Sequence, residues 1–256
     1  MPIAANVYYA HHPRERGDKP AVVLIHGAGG THLYWPAEVR RLPGYDVFAL
    51  DLPGHGKSEG VGQQSIEGYV EAVLNWMEAV GLHKAMFVGH SMGGAIALLL
   101  GLEHSERVLG LGLVSTGGRL KVAPIILEST ASSVTFQSVL PAIAEWAFSE
   151  QADPQLLAQF GKDLAETRSS VLHGDFMACD AFDVLERLEA IQAPTLVLCG
   201  QNDRMTPVRH SEFLADHIPS SKLEIIPASG HMVMLEQPAT VAEALLSFFN
   251  ELAHSV

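Results

Sequence analysis

The chain is poor in several things that would define other classes of protein. Cysteine is nearly absent, with Cys179 and Cys199 alone among 256 residues. Two such positions provide neither a disulfide framework nor a metal-ligand pattern, and Cys199, closing the run Leu196-Val197-Leu198, reads as a buried inert thiol. Cations are scarce, 16 Lys and Arg against 29 Asp and Glu, for a formal net charge of −13. Nucleic acid and anionic membrane surfaces repel such a chain, so neither is expected as a partner. The longest apolar run, Ala95 to Gly101, is too short to cross a bilayer. Met1 to Tyr9 lacks the basic stretch and apolar run of a secretory leader, which leads to the expectation of a cytoplasmic protein. No Gly-rich dinucleotide fingerprint or His/Cys ligand spacing is present, so no cofactor and no metal are expected, and His11-His12 reads as solvated.

What is present belongs to a compact protein. Hydrophobic residues make up 48% and charged residues 18%, enough for one large domain with a sizeable core. Short apolar runs recur: Val7–Ala10 as an opening edge strand, then Ala21–Ile25, Tyr45–Leu50, Ala85–Val88, Val108–Val114, Thr195–Cys199 and Lys222–Ile226. Several are continuous rather than alternating, as in strands covered on both faces. Between them lie a charged turn from Pro13 to Pro20 and helical patterns at Trp35–Leu42, Ser65–Val80, Val208–His217 and Ala239–Leu252. In the second of these, Val70, Val73, Leu74, Met77 and Val80 share one face. Such alternation predicts an α/β fold, a mostly parallel central sheet with helices on both faces. The interval Gly117 to Ala193 breaks the rhythm, with helical stretches at Val134–Ala147, Pro154–Glu166 and Arg168–Ala178 and no convincing strand. It reads as a helical cap, residues 117–193, inserted after the sixth strand into a core formed by 1–116 and 194–256.

The chemistry centres on Phe87-Val88-Gly89-His90-Ser91-Met92-Gly93-Gly94-Ala95. A strand running into Gly-x-Ser-x-Gly and then into a helix is the pattern of a nucleophile elbow, a sharp turn that lifts a serine hydroxyl out of the sheet. The flanking glycines allow neighbouring backbone to approach where a side chain would collide. A serine hydroxyl is a poor nucleophile without a base, and the base works best when a third group orients it. An acid and a histidine should therefore follow, each in the loop beyond a strand. Gly200-Gln201-Asn202-Asp203 follows Thr195–Cys199, and Pro227-Ala228-Ser229-Gly230-His231 follows Lys222–Ile226. Rival acids are Asp51, which precedes the serine in a Pro-Gly-rich loop, and Glu128, which falls in the cap. His26 and His90 read as loop-packing residues near the site.

The motifs His26-Gly27, Asp51-Leu52-Pro53-Gly54-His55-Gly56-Lys57-Ser58, Gly89-His90-Ser91-Met92-Gly93-Gly94, Gly200-Gln201-Asn202-Asp203 and Gly230-His231-Met232-Val233-Met234-Leu235-Glu236-Gln237-Pro238 occur in the order of a known family. Together they resemble the α/β-hydrolases, in the group of small capped esterases, lactonases and C–C hydrolases. The resemblance implies Ser91 as nucleophile, His231 as general base then acid, and Asp203 as the carboxylate that orients it. It implies an oxyanion hole from the backbone N–H groups of Ala28 and Met92. Serine at the elbow departs from the dehalogenases and epoxide hydrolases of this fold, which carry aspartate there. Ala28, Gly29 and Met92 depart from the proline iminopeptidases, and His90 and Met232 from the C–C hydrolases.

Trp35, Leu33, Met232, Val233, Phe136, Trp146, Phe148, Phe176 and Met177 are the candidate pocket walls, of which Trp35, Trp146, Phe136 and Met232 are taken as substrate-binding. They point to an apolar acyl or alkyl site and a small-molecule substrate. The expected activity is hydrolysis of a small to medium carboxylic ester through an acyl-enzyme. The alternatives are a lactonase or C–C (β-ketone) hydrolase using the same residues, and a hydrolase-like ligand-binding protein. No feature fixes an oligomeric state.

Overall fold

The computed structural model describes residues 2–14 and 19–253, so Glu15 to Asp18 of the charged turn lie outside the described residues. Its strands are β1 (Ile3–Ala4), β2 (Val7–His12), β3 (Val22–Ile25), β4 (Val47–Leu50), β5 (Ala85–His90), β6 (Val108–Val114), β7 (Thr195–Gly200) and β8 (Ser221–Ile226). They form one sheet in the order β1-β2-β4-β3-β5-β6-β7-β8. The β1/β2 and β2/β4 pairs are antiparallel, and every pair from β4 to β8 is parallel. The expected opening edge strand is thus second in the sheet, flanked by the two-residue β1.

Between the strands run α1 (Ala37–Arg40), α2 (Ile66–Val80), α3 (Met92–Glu103), α4 (Pro124–Thr130), α5 (Phe136–Ala147), α6 (Pro154–Glu166), α7 (Ser169–Ala181) and α8 (Val208–His217), with α9 (Val233–Glu236) and α10 (Pro238–Ala253) after β8. The helix expected from Trp35 to Leu42 shrinks to α1. Trp35 precedes Pro36, whose ring disfavours the helical conformation at the residue before it, and Trp35 is extended with φ −89° and ψ 114°. The interval between β6 and β7 contains helices α4–α7, including α4, which the apolar pattern did not single out.

Two apolar cores lie on the two faces of the sheet, as strand periodicity requires. Val22, Leu24, Met86, Val88, Leu196 and Leu198 join one core, with α10 and much of α4–α7. Their neighbours Val23, Ile25, Phe87 and Val197 join the other, with α2 and α3. All six residues of β5 are buried. β3 pairs with β4 on one side and with β5 on the other, so the chain winds outward in both directions from the gap between β3 and β5. In open parallel sheets, ligands bind beyond the carboxyl ends of the strands at such a reversal point. The loops after β3 and β5, beginning at His26 and Ser91, meet there. Among the described residues no helix is long and apolar enough to cross a membrane.

Candidate active site

Ser91 occupies the single position between β5 and α3, with φ 51° and ψ −114°. A non-glycine residue there stores roughly 1–3 kcal/mol of strain and persists only when its surroundings hold it. Its N–H donates to Val114 O at 3.0 Å, and its carbonyl accepts from Gly94 N at 2.9 Å and Ala95 N at 3.2 Å. The Thr116 hydroxyl donates to the same carbonyl at 2.8 Å. The glycines on either side are steric necessities. A Cβ on Gly89 would stand 2.0 Å from Gly93 O, and one on Gly93 would stand 2.2 Å from Ile25 O.

His231 and Asp203 come from the loops after β8 and β7 and meet with Nδ1 2.9 Å from Oδ2. Both are buried. The Thr206 hydroxyl donates to the same Asp203 oxygen at 2.9 Å and lies 3.2 Å from His231 Nδ1. Asp203 Oδ1 accepts from the N–H groups of Met205 and Thr206 at 2.9 and 2.8 Å. Burial alone would raise the Asp203 pKa. The His231 ring and the Thr206 donors outweigh it and hold the carboxyl below the usual range. With two acceptors against Nδ1, the proton resides on that nitrogen and Nε2 is left with a free lone pair, as a general base requires.

The neighbouring histidines have other work. His26 Nε2 accepts from Leu52 N at 3.0 Å and its Nδ1 donates to Gly27 O at 2.8 Å. It is therefore neutral, and burial, assisted by nearby His55, pushes its pKa down to about 4. His90 Nε2 donates to the His231 carbonyl at 3.0 Å, its ring 4.8 Å from the His231 ring. Its pKa falls well below the ordinary value, chiefly through burial. Asp51 accepts from His32 N at 2.6 Å, His32 Nδ1 at 2.8 Å and Lys57 N at 2.8 Å, so its carboxylate braces the 51–58 loop rather than orienting His231.

Ser91, His231 and Ala28 line one cavity of about 520 Å³. Met92 opens α3, and the first N–H groups of a helix have no intrahelical acceptor. The Ala28 N–H has no partner among the described residues. Trp146, Phe176 and Met232 line the cavity, together with Tyr34, Ile126, Ile143, Phe160 and Met205. Trp35 and Phe136 do not line it. Both are buried in the core, and the extended backbone at Trp35 leaves its neighbour Tyr34 on the wall instead. Of the other candidates, Phe148 and Val233 are also core residues, while Leu33 and Met177 are exposed.

The lining includes Arg119, Lys121, Arg204 and Arg209 and contains no Asp or Glu. In a chain with nearly twice as many acids as bases, this local reversal of charge favours an anion. Arg119 and Lys121 are balanced by Asp183 at 2.7 Å and Asp180 at 3.8 Å, neither of which lines the cavity. Arg204 donates to the carbonyls of Glu145 and Phe148. Among the described residues, no three His, Cys, Asp or Glu side chains are grouped as metal ligands.

Comparison with known proteins matches residues 20–238 to the model of the alpha/beta hydrolase fold. The chain belongs to that family. It is 28% identical over 244 residues to 3-oxoadipate enol-lactonase 1 of Acinetobacter baylyi, covering 93% of this chain and 90% of the relative. It is also 28% identical over 257 residues to 2-hydroxy-6-oxo-6-phenylhexa-2,4-dienoate hydrolase of Burkholderia cepacia, with the same coverage of 93% and 90%. Among solved structures, a thermophilic esterase superposes with a TM-score of 0.81 at 34% identity, covering 96% of this chain and 98% of the other. The enol-lactonase of Burkholderia xenovorans superposes with a TM-score of 0.90 at 23% identity, covering 97% and 100%, a likeness of fold.

Proposed function

We propose that the protein is a carboxylic-ester hydrolase acting through a Ser91 acyl-enzyme. The observation that carries this reading is the buried Asp203–His231 pair beside a strained serine, with Ser91 and His231 on one apolar-walled cavity. His231 Nε2 takes the Ser91 proton as Oγ attacks the ester carbonyl. The resulting oxyanion accepts hydrogen bonds from the N–H groups of Ala28 and Met92. His231 then gives its proton to the departing alkoxide. Water, deprotonated by the same nitrogen, attacks the acyl-enzyme and releases the acid, regenerating Ser91. Helices α4–α7 act as the cap that closes the substrate cavity.

The apolar wall supports a small to medium acyl group. A second reading, hydrolysis of a lactone or a C–C bond in a carboxylate-bearing substrate, is supported by Arg204 and Arg209 of the lining. The names of the two curated relatives specify oxoadipate and hexadienoate substrates, both carboxylates. A panel pairs neutral p-nitrophenyl esters with their carboxylate-bearing counterparts, lactones and β-diketones, each assayed with wild type and Ser91→Ala. Turnover of esters that disappears in Ser91→Ala is expected. Equal turnover by both proteins, or none by either, defeats the proposal.

A further inference from the structure

Asp175, on α7, is a fully buried carboxylate that the proposed chemistry does not use. Its Oδ2 accepts from the Gly29 N–H at 2.8 Å and from His55 Nε2 at 2.8 Å, and its Oδ1 accepts from the Tyr69 hydroxyl. The other His55 nitrogen, Nδ1, faces the Pro53 carbonyl at 3.1 Å. His55 thus bridges Asp175 and the Pro53 carbonyl; burial would lower its pKa, but the Asp175 side chain beside it outweighs burial and raises it.

Gly29 belongs to the turn that carries Ala28. The Gly30 N–H closes it on Gly27 O at 3.1 Å, and Gly29, its third residue, has φ +66°. The turn's middle peptide, the one joining Ala28 to Gly29, directly follows the Gly27–Ala28 peptide that bears the Ala28 N–H. Asp175 holds the N–H of the middle peptide. The Thr167 hydroxyl, just beyond α6, donates to the Gly29 carbonyl at 3.0 Å and holds the next one. Both restraints come from the segment between β6 and β7, whereas the turn belongs to the loop after β3.

We propose that Asp175 is a positioning residue for the reaction: anchored by His55 and Tyr69, it fixes the Gly27–Gly30 turn so that the Ala28 N–H is already aimed at the developing oxyanion. The proposal rests on the hydrolase reading above. Because the oxyanion exists only after attack, loss of the anchor should weaken transition-state binding and leave ground-state binding alone.

The test is Asp175→Asn, with Thr167→Val as the gentler second variant. Three quantities are measured for each: kcat and KM on a short p-nitrophenyl ester, affinity for a trifluoromethyl ketone that forms a tetrahedral adduct, and affinity for the product carboxylate. In Asp175→Asn, kcat should fall about 30-fold or more, approaching the loss of one oxyanion donor. Ketone affinity should fall by a similar factor, while KM and product affinity stay within about threefold. Thr167→Val should show the same pattern at about threefold to tenfold, and it decides the matter if Asp175→Asn does not fold. Unchanged kcat in both folded variants overturns the proposal, as does a parallel loss of product affinity. Wild type that neither hydrolyses the ester nor binds the ketone overturns the hydrolase reading, and this proposal with it.

Discussion

His231 Nδ1 stands 2.9 Å from Asp203 Oδ2, and the Thr206 hydroxyl bonds the same carboxylate oxygen at 2.9 Å. In the proposed mechanism Asp203 sets both the tautomer and the direction of the imidazole. Asp203→Asn leaves the shape but offers a donor where an acceptor is needed. It should lower kcat by about 10³–10⁴-fold with little change in KM. Steady-state kinetics on the best ester checks this. Thr206→Val retains the carboxylate and should cost far less.

Two buried histidines give stability opposite pH slopes. Burial would lower the His55 pKa, but Asp175 outweighs it and raises the value. The folded state therefore binds that proton more tightly than the unfolded chain. Its contribution is complete below the ordinary histidine value and is lost as pH rises through the folded value. His26 is lowered to about 4, so its contribution is present above about 6.5 and is lost as pH falls toward about 4, by at most about 1.4 kcal/mol per pH unit. Urea unfolding across pH 4 to 9 should show stability falling at both ends. His55→Asn should remove the alkaline loss, at a lower overall stability.

Glycine substitutions should split sharply by position. A Cβ on Gly93 would lie 2.2 Å from the Ile25 carbonyl oxygen, a backbone atom that cannot move aside cheaply. Gly93→Ala should cost about 4 kcal/mol or more, lowering Tm by roughly 10 °C or leaving the protein insoluble. Gly161 lies inside α6 and its Cβ would meet nothing within 4 Å. Gly161→Ala should be neutral to stabilising by up to about 1 kcal/mol. Thermal melts of the two variants make the comparison.

The cations of the cavity lining should govern substrate charge rather than rate alone. Arg204→Gln combined with Arg209→Gln should reduce the preference for a carboxylate-bearing ester over its neutral counterpart by about 2–10-fold, chiefly through KM. Both arginines are exposed, so high salt should erase most of that difference. The ratio of kcat/KM values at low and high ionic strength is the measurement.

The sheet and the elbow were legible because they depend on local patterns. Continuous apolar runs marked β3 to β7, and paired glycines marked the turn at Ser91, where the structure places backbone within 2.0 Å of a would-be Cβ. Asp203 and His231 could be picked out because a parallel sheet brings the loops after successive strands to one edge. Asp175 could not. Its partners Gly29, His55 and Tyr69 are 146, 120 and 106 residues away, and in sequence it is one acid in an otherwise unremarkable helix. The cavity wall was equally hidden, since apolarity does not tell a residue facing a void from one facing the core. Trp35 and Tyr34 are adjacent, buried and aromatic, yet only Tyr34 lines the cavity. Pro36 was the one local signal, because it biases Trp35 toward extended backbone.

Hydrolysis through an acyl-enzyme requires Ser91 to become covalently acylated. The most direct measurement is mass spectrometry of the protein after reaction with an alkyl p-nitrophenyl phosphonate, which a serine activated by a histidine attacks and retains. One adduct per chain is expected, located on the peptide containing Ser91, absent in Ser91→Ala and formed far more slowly in His231→Gln. An unlabelled wild type, or a label on another residue that persists in Ser91→Ala, would contradict it.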